Sequence, residues 1–97
     1  MNIYEISDGI GKVCIYAKSK NSAVNCWIDD FCGDTEEIVN ERELSSEEIK
    51  NSKVYKKHPS DLKVGEINKL VFMSEMITEA LNNEDVPPFI ISISGDY

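Results

Sequence analysis

The sequence predicts an α+β fold, a small single domain over residues 1–97 with a mostly antiparallel sheet and two main helices packed on one face. The length of 97 residues suits one domain. Hydrophobic residues make up 41% of the chain and are interspersed with charge, which is typical of a globular protein. Short β-rich runs stand near both ends, and stretches with helical periodicity stand between them.

The first two elements are predicted to form a β-hairpin. Residues 3–6 are a short β-rich run, and residues 12–17 are a second one. Asp8 and Gly9 between them are a turn signal. The connection is therefore a hairpin loop a few residues longer than the shortest type.

A helix is predicted from about residue 20 to residue 32. Ser19 can cap its N-terminus. Gly33 suits the left-handed conformation that commonly ends a helix. Apolar residues at three- and four-residue intervals form one stripe, namely Ala23, Val24, Trp27, Ile28 and Phe31.

Residues 36–44 are predicted to form a third strand. Neither of its faces is apolar throughout, since Glu41 and Glu43 share a face with Val39. Charges of this kind discourage an edge strand from pairing with another chain. The composition therefore predicts a position at the edge of the sheet.

Two features follow this strand. Ser45 and Glu48 have the spacing of a capping box, which predicts a short helical turn. Residues 53–63 are rich in lysine and contain a turn signal at residues 58–61. We expect an exposed loop there, with a brief extended piece at residues 54–55.

The last two elements are a helix and a strand. The helix is predicted over residues 66–82 and is expected to be buried on more than one side, because its apolar face is wide. That face consists of Ile67, Leu70, Val71, Phe72, Met73, Ser74, Met76, Ile77, Ala80 and Leu81. Residues 89–93 are apolar on both faces. They predict a strand inside the sheet, under helix cover and paired with the N-terminal hairpin.

Charge is concentrated in residues 29–48, which we call the acidic segment. The acidic segment contains nine acids and one cation, Arg42, so its net charge is −8. This value equals the formal charge of the whole chain. The predicted partner-binding residues are the nine acids of the segment, Asp29, Asp30, Asp34, Glu36, Glu37, Glu41, Glu43, Glu47 and Glu48. A localised negative field repels nucleic acid and anionic lipid, and it attracts basic protein surfaces, above all those that hold DNA or RNA.

The acidic segment has two interpretations. As a nucleic-acid mimic, it presents Glu37, Glu41 and Glu43 in a row along one strand, where residues two apart are separated by about 6.6–6.8 Å. Such a row could compete for a surface that gains much of its affinity from lysine and arginine contacts to phosphates. As a solvated face, the segment only keeps the protein in solution and protects an edge strand.

A different hypothesis is a small adaptor or oligomerising protein that uses the apolar surface of the helix at residues 66–82. Phe72, Met73 and Met76 would then be exposed in the monomer. Core packing is the alternative interpretation of these three residues. We expect a monomer rather than a homodimer.

No enzymatic activity, metal site or cofactor is predicted. The single histidine, His58, precedes a proline, and no Gly-x-Ser-x-Gly motif is present. Gly9 and Gly11 lack the rest of a phosphate-binding loop. Three cysteines in a chain without a secretory leader indicate reduced thiols. A catalytic pair of one cysteine with His58 stays open as a third hypothesis.

The chain resembles small acidic proteins of phages and prophages. The motifs that carry the resemblance are IYEISDG at residues 3–9, YAKS at 16–19, ELSSEE at 43–48 and PFI at 88–90, before the ending at Tyr97. The resemblance implies an anti-CRISPR type of inhibitor, in which a DNA mimic occupies the basic surface of a host nucleic-acid-binding complex such as a CRISPR effector. The lysine-rich residues 53–63 depart from a uniformly acidic mimic.

The expected location is the cytoplasm, of the infected host cell if the resemblance applies. Residues 1–5 lack the basic start and apolar run of a secretory leader. No apolar run approaches the ~18 residues that span a bilayer. Direct binding to a membrane or to nucleic acid is not expected, because both are anionic.

Overall fold

A computed structural model describes residues 1–57 and 59–95 of this chain. The strands are β1 (Asn2–Ser7), β2 (Gly11–Ala17), β3 (Asn40–Glu43), β4 (Lys53–Tyr55), β5 (Leu70–Phe72) and β6 (Phe89–Gly95). The helices are α1 (Lys20–Phe31), α2 (Ser46–Asn51) and α3 (Met73–Asn82), and single 3-10 turns cover Thr35–Glu37 and Pro59–Asp61.

The main sheet is antiparallel, with the strand order β3-β1-β2-β6. Strands β4 and β5 form a separate two-stranded sheet. The predicted α+β class with a mostly antiparallel sheet is therefore confirmed. The predicted N-terminal hairpin is confirmed as well, and so is the edge position of the acidic strand, because among the described strands β3 pairs with β1 alone.

Alternating side chains divide the core between the two faces of this sheet. On one face, Ile6, Val13 and Ile15 pack with Trp27 of α1. On the other, Ile3 and Cys14 pack with Met73 of α3. The helices thus cover opposite faces, and the expectation that both pack on one face is wrong in this detail. The physical reason is that both faces of the β1–β2 hairpin are apolar, so each needs its own cover.

Strand β6 lies at the second edge of the sheet, next to β2, and not inside the sheet as predicted. Its predicted pairing with the N-terminal hairpin is confirmed. Its apolar residues occupy both faces because each face is covered. Ile90 and Ile93 pack on the α1 side, and Ile91 and Phe89 pack on the α3 side.

The predicted strand over residues 36–44 is shorter than expected. Asp34 accepts a hydrogen bond from the backbone N–H of Glu36 and caps a 3-10 turn. Backbone pairing with β1 begins with the bond from Val39 N to Ser7 O, at 2.7 Å. The local cap at Asp34 therefore removes residues 36 and 37 from the strand.

The predicted helix over residues 66–82 is wrong in its first half. Residues 70–72 form β5, and α3 begins at Met73. Pairing with Lys53–Tyr55 supplies backbone hydrogen bonds to this segment, and Asn68 closes the hairpin through bonds to the N–H and C=O of Lys57. The run Leu-Val-Phe favours a strand. The apolar residues around it also fit the spacing of a helix, and the prediction followed that spacing.

The termini of the first two helices follow their predicted signals. Ser19 caps α1, and Ser45 and Glu48 form the capping box of α2. The end of α1 differs, because Cys32 adopts the left-handed conformation with φ of 51°. Gly33 serves another purpose, since a Cβ atom there would lie 2.4 Å from Cη2 of Trp27.

Residues 53–57 and 60–63 show the expected exposure of their lysines, and the brief extended piece is β4. In the described part of the chain, no helix has the length and apolar character needed to cross a bilayer.

Candidate protein-binding surface

Four consecutive elements carry the nine predicted site residues. Asp29 and Asp30 lie in the last turn of α1, and Glu41 and Glu43 lie on β3. Asp34, Glu36 and Glu37 belong to the 3-10 turn and its cap, while Glu47 and Glu48 lie in the first turn of α2. The acids therefore lie along one continuous stretch of chain at the β3 edge of the sheet.

The predicted row of Glu37, Glu41 and Glu43 on one strand is wrong. Glu37 lies in the 3-10 turn and outside β3. Glu41 and Glu43 do share a strand face, at the spacing of about 6.8 Å that alternate strand residues have. Their cross-strand neighbours on β1 are Ile6 for Glu41 and Tyr4 for Glu43. Both glutamates therefore lie on the side of the sheet that α1 covers.

Two cations neutralise part of the acidic segment from within the chain. Lys20 Nζ of α1 lies 3.4 Å from Glu41 Oε1. Arg42 approaches Glu48 at 2.7 Å and Glu5 of β1 at 3.3 Å. The Arg42 guanidinium and the Ser45 N–H hold the pKa of Glu48 below its usual value. These pairs are exposed, so their energies are small and screened by salt.

Three further acids serve local structure. Glu43 accepts a hydrogen bond from the Asn2 side-chain amide. Asp34 caps the 3-10 turn. Asp30 accepts a hydrogen bond from the Cys26 thiol, with a distance of 3.5 Å between sulfur and oxygen. Reversing any of these charges would disturb the fold as well as the surface.

The other acids of the segment are free of such roles within the described residues. No side-chain hydrogen bond or ion pair is found there for Asp29, Glu36, Glu37 or Glu47, and all four are exposed. Their charge is directed to solvent without a partner that offsets it. They are the part of the predicted site that is best suited to an external partner.

An open cleft of about 600 Å³ separates the start of α1 from the 3-10 turn and β3. Its walls are formed by Lys20, Asn21, Val24, Thr35, Ile38, Val39, Asn40 and Glu41. Val39 is 73% exposed at its rim. Sequence reasoning missed this cleft because the strand was predicted to begin before Val39. An apolar contact is thus available among the acids.

The cysteines differ in environment. Cys14 and Cys26 are buried, and Cys32 is exposed. Burial, followed by the charge of Asp30, raises the pKa of Cys26 to about 11. Burial also raises the pKa of Cys14. Both thiols are therefore poor nucleophiles at neutral pH. The hypothesis of a pair with His58 involves a residue that lies outside the described ones.

Metal binding finds no support in the geometry of residues 1–57 and 59–95. No three side chains of His, Cys, Asp or Glu converge there in a way that could hold an ion. The acids of the acidic segment lie at successive positions along the chain, and no three of them converge on one point within the described residues.

The predicted apolar helix surface is divided between core and solvent. Met73 is buried and Met76 is half-buried, and both pack in the core cluster on the α3 side. Phe72 belongs to β5 and remains exposed. Core packing thus accounts for the two methionines, while Leu81 at the end of α3 and several apolar side chains of the β4–β5 hairpin are exposed.

No protein-family model matches this chain, and no curated protein or solved structure shows significant similarity to it. A functional proposal therefore depends on the residues of this chain alone. The resemblance to small acidic phage proteins stays a prediction.

Proposed function

We propose that this protein binds a basic protein surface, of the kind that holds DNA or RNA, through its acidic segment. The observation that carries the proposal is the confinement of a net charge of −8 to residues 29–48. By occupying such a surface, the protein would act as a competitive inhibitor of nucleic-acid binding.

Uncompensated charge supports this proposal. Intramolecular cations approach Glu41 and Glu48, whereas Glu36, Glu37 and Glu47 point to solvent without a described partner. Acids that serve only to pair with cations of the same chain would not need to exceed those cations in number. The excess is what a basic partner would neutralise, and its lysines and arginines would do so in place of phosphates.

The position at a sheet edge also supports it. The backbone of β3 is held by pairing with β1, and both ends of the strand continue this pairing through Val39 and Leu44. The backbone of such a strand loses little conformational freedom on binding. Val39 adds an exposed apolar contact next to them. Long-range charge would then accelerate association, and short-range contacts would slow dissociation.

The narrower form of the proposal is a phage-type inhibitor of a host defence complex, acting as a DNA mimic in the anti-CRISPR manner. It follows from the resemblance of the sequence motifs. The broader form, competition for a basic surface, does not depend on that resemblance.

The test compares two triple charge reversals. One is Glu36→Lys, Glu37→Lys and Glu47→Lys, at acids without a described intramolecular role. The matched control is Glu75→Lys, Glu84→Lys and Asp85→Lys, at exposed acids outside the segment. Each triple changes the net charge from −8 to −2, because three unit negative charges become positive.

Host lysate is passed over the immobilised native protein and both variants, at about 50 and 200 mM salt, because phosphate-like contacts weaken steeply over that range. We expect the native protein and the control to retain nucleic-acid-binding proteins that added duplex DNA displaces. The first variant should lose them. Equal loss in both variants would mean that only overall charge matters, and equal retention would refute the proposed site. In the second case the acidic segment would be a solvated face.

A further inference from the structure

The β4–β5 hairpin presents an apolar face to solvent. Val54 packs into the core on the α3 side, and side chains alternate along each strand. Tyr55 and its cross-strand partner Leu70 therefore point outward, as does Phe72. Leu70 is 55% exposed.

The connection between the two strands adds two more exposed apolar residues. Val64 is fully exposed and Ile67 is 84% exposed. We call the set Tyr55, Val64, Ile67, Leu70 and Phe72 the apolar hairpin face. Contiguous exposed apolar patches are the usual mark of an interaction site, and these five residues of one hairpin are candidates for such a patch.

Hydrogen bonds hold this connection in place. The N–H of Glu66 donates to Lys63 O at 3.0 Å, and Gly65 between them has φ of 82°, which closes a turn with Val64 at its tip. Glu66 also pairs with Lys57 at 2.8 Å. The exposure of Val64 thus results from a turn with defined geometry.

The surroundings of this face are basic. Residues 53–72 contain five lysines against Asp61 and Glu66, so their net charge is +3 with His58 neutral. Glu79 of α3 offsets part of this charge, because its Oε2 lies 3.5 Å from Lys56 Nζ. Lys53 Nζ lies 5.0 Å from the centre of the Phe72 ring. A symmetric contact of this face with itself would oppose lysines with lysines, which is unfavourable. The occupant must therefore be acidic and must carry apolar contacts.

We infer that the apolar hairpin face binds the acidic segment of a second copy of this chain, head to tail. The acidic segment has the required sign of charge, and Val39 is an exposed apolar side chain within it. The two surfaces come from different parts of the chain, and their head-to-tail contact is heterologous. Such contacts form rings or open chains of copies.

This inference rests on the acidic segment being a binding surface, as the proposed function does, but it names a different occupant. A second copy on the acidic segment would compete with a basic partner. Association of copies would then reduce the amount of free inhibitor at high protein concentration.

A charge-swap experiment tests the contact. The hairpin variant carries Lys63→Glu and Lys69→Glu, and the segment variant carries Glu36→Lys and Glu37→Lys. These side chains are exposed, and circular dichroism is used to check that both variants fold. Sedimentation equilibrium at low salt measures the mass of each protein alone and of their equimolar mixture.

We expect the native protein to associate with rising concentration. The hairpin variant alone should stay monomeric, because both of its surfaces are then acidic, and the segment variant alone should associate more weakly, because the charge of its acidic segment falls from −8 to −4. The mixture should associate, because each variant supplies the surface that the other one needs. A native protein that stays monomeric overturns the inference, and so does a mixture that fails to associate. Another occupant of the face would then have to be sought.

A second variant tests the apolar part. Ile67→Ser should weaken self-association about tenfold or more, because an exposed isoleucine becomes buried in the contact. Val86→Ser is the matched control, since Val86 is 80% exposed outside the hairpin and should have no effect. The hairpin variant retains an intact acidic segment. Suppose that the native protein does not self-associate but that the hairpin variant still retains basic partners from lysate. The inference of self-association then fails, whereas the proposed function stands.

Discussion

Arg42 Nη1 donates a hydrogen bond of 2.7 Å to Glu48 Oε2 and thereby joins strand β3 to helix α2. The other oxygen of the same carboxylate accepts the backbone N–H of Ser45 and completes the capping box. Arg42 Nε also lies 3.3 Å from Glu5 Oε1 on β1. The lone cation of the acidic segment thus connects three elements.

Arg42→Gln should raise the pKa of Glu48. The guanidinium and the Ser45 N–H lower that pKa in the folded protein, so the carboxylate stabilises the fold at pH values above its ordinary pKa of 4.5. This contribution is lost as the pH falls through the lowered pKa. A carbon-detected NMR titration of Glu48 measures the shift, and Lys50→Gln in the same helix is the control.

The same variant should be less stable than the native protein in urea at about pH 7, and the difference should shrink as the pH falls through the lowered pKa of Glu48. A difference that stays constant over the acid range would contradict an ionic role for Arg42.

Gly33→Ala should destabilise the protein by about 1–3 kcal/mol, because the added methyl overpacks a filled site. The new Cβ would lie 2.4 Å from Cη2 of Trp27, which is buried in the core and cannot move freely. Urea unfolding measures the loss. Trp27→Phe removes the outer ring of the indole. Gly33→Ala should therefore lower the free energy of unfolding less in the Trp27→Phe protein than in the native one. Equal costs in both backgrounds would show that the two residues do not interact.

Thiol reagents should modify Cys32 first. It is exposed, whereas burial and the neighbouring Asp30 raise the pKa of Cys26 to about 11, and Cys14 is buried with a raised pKa. Intact-mass spectrometry at neutral pH follows the reaction. Cys32→Ser should remove the fast phase and leave the slow ones. Fast labelling of Cys26 in that variant would contradict the structure and would revive the hypothesis of a reactive cysteine.

Ser45→Ala should destabilise the protein by about 0.5–2 kcal/mol, the usual cost of losing an N-terminal cap. The Ser45 hydroxyl accepts the N–H of Glu48 at 3.1 Å, and α2 has only six residues to support itself. Ser46→Ala, one residue further and exposed, is the control and should change stability little. Urea unfolding of both variants decides the point, and an equal loss in both would exclude a capping role.

Local signals explain which elements could be predicted. Ser19, and Ser45 with Glu48, act on backbone groups within three residues, so their effect can be read from the chain itself. The same kind of signal at Asp34 was overlooked, and the third strand was therefore predicted to begin too early. The sequence shows where the nine acids lie along the chain, but it does not show which residues they contact. Lys20 lies in another element than Glu41, and only the fold brings them to 3.4 Å.

The hairpin, the first helix, the capping box and the confinement of negative charge follow from the sequence alone, because each depends on neighbours within a few residues. Tertiary structure decided the state of residues 70–72, where pairing with residues 53–55 outweighs helical periodicity. It also decided that α1 and α3 cover opposite faces of the sheet, and which acids have no cation nearby within residues 1–57 and 59–95. The physical reason is that burial and ion pairing depend on groups far apart along the chain, whose approach no local pattern specifies.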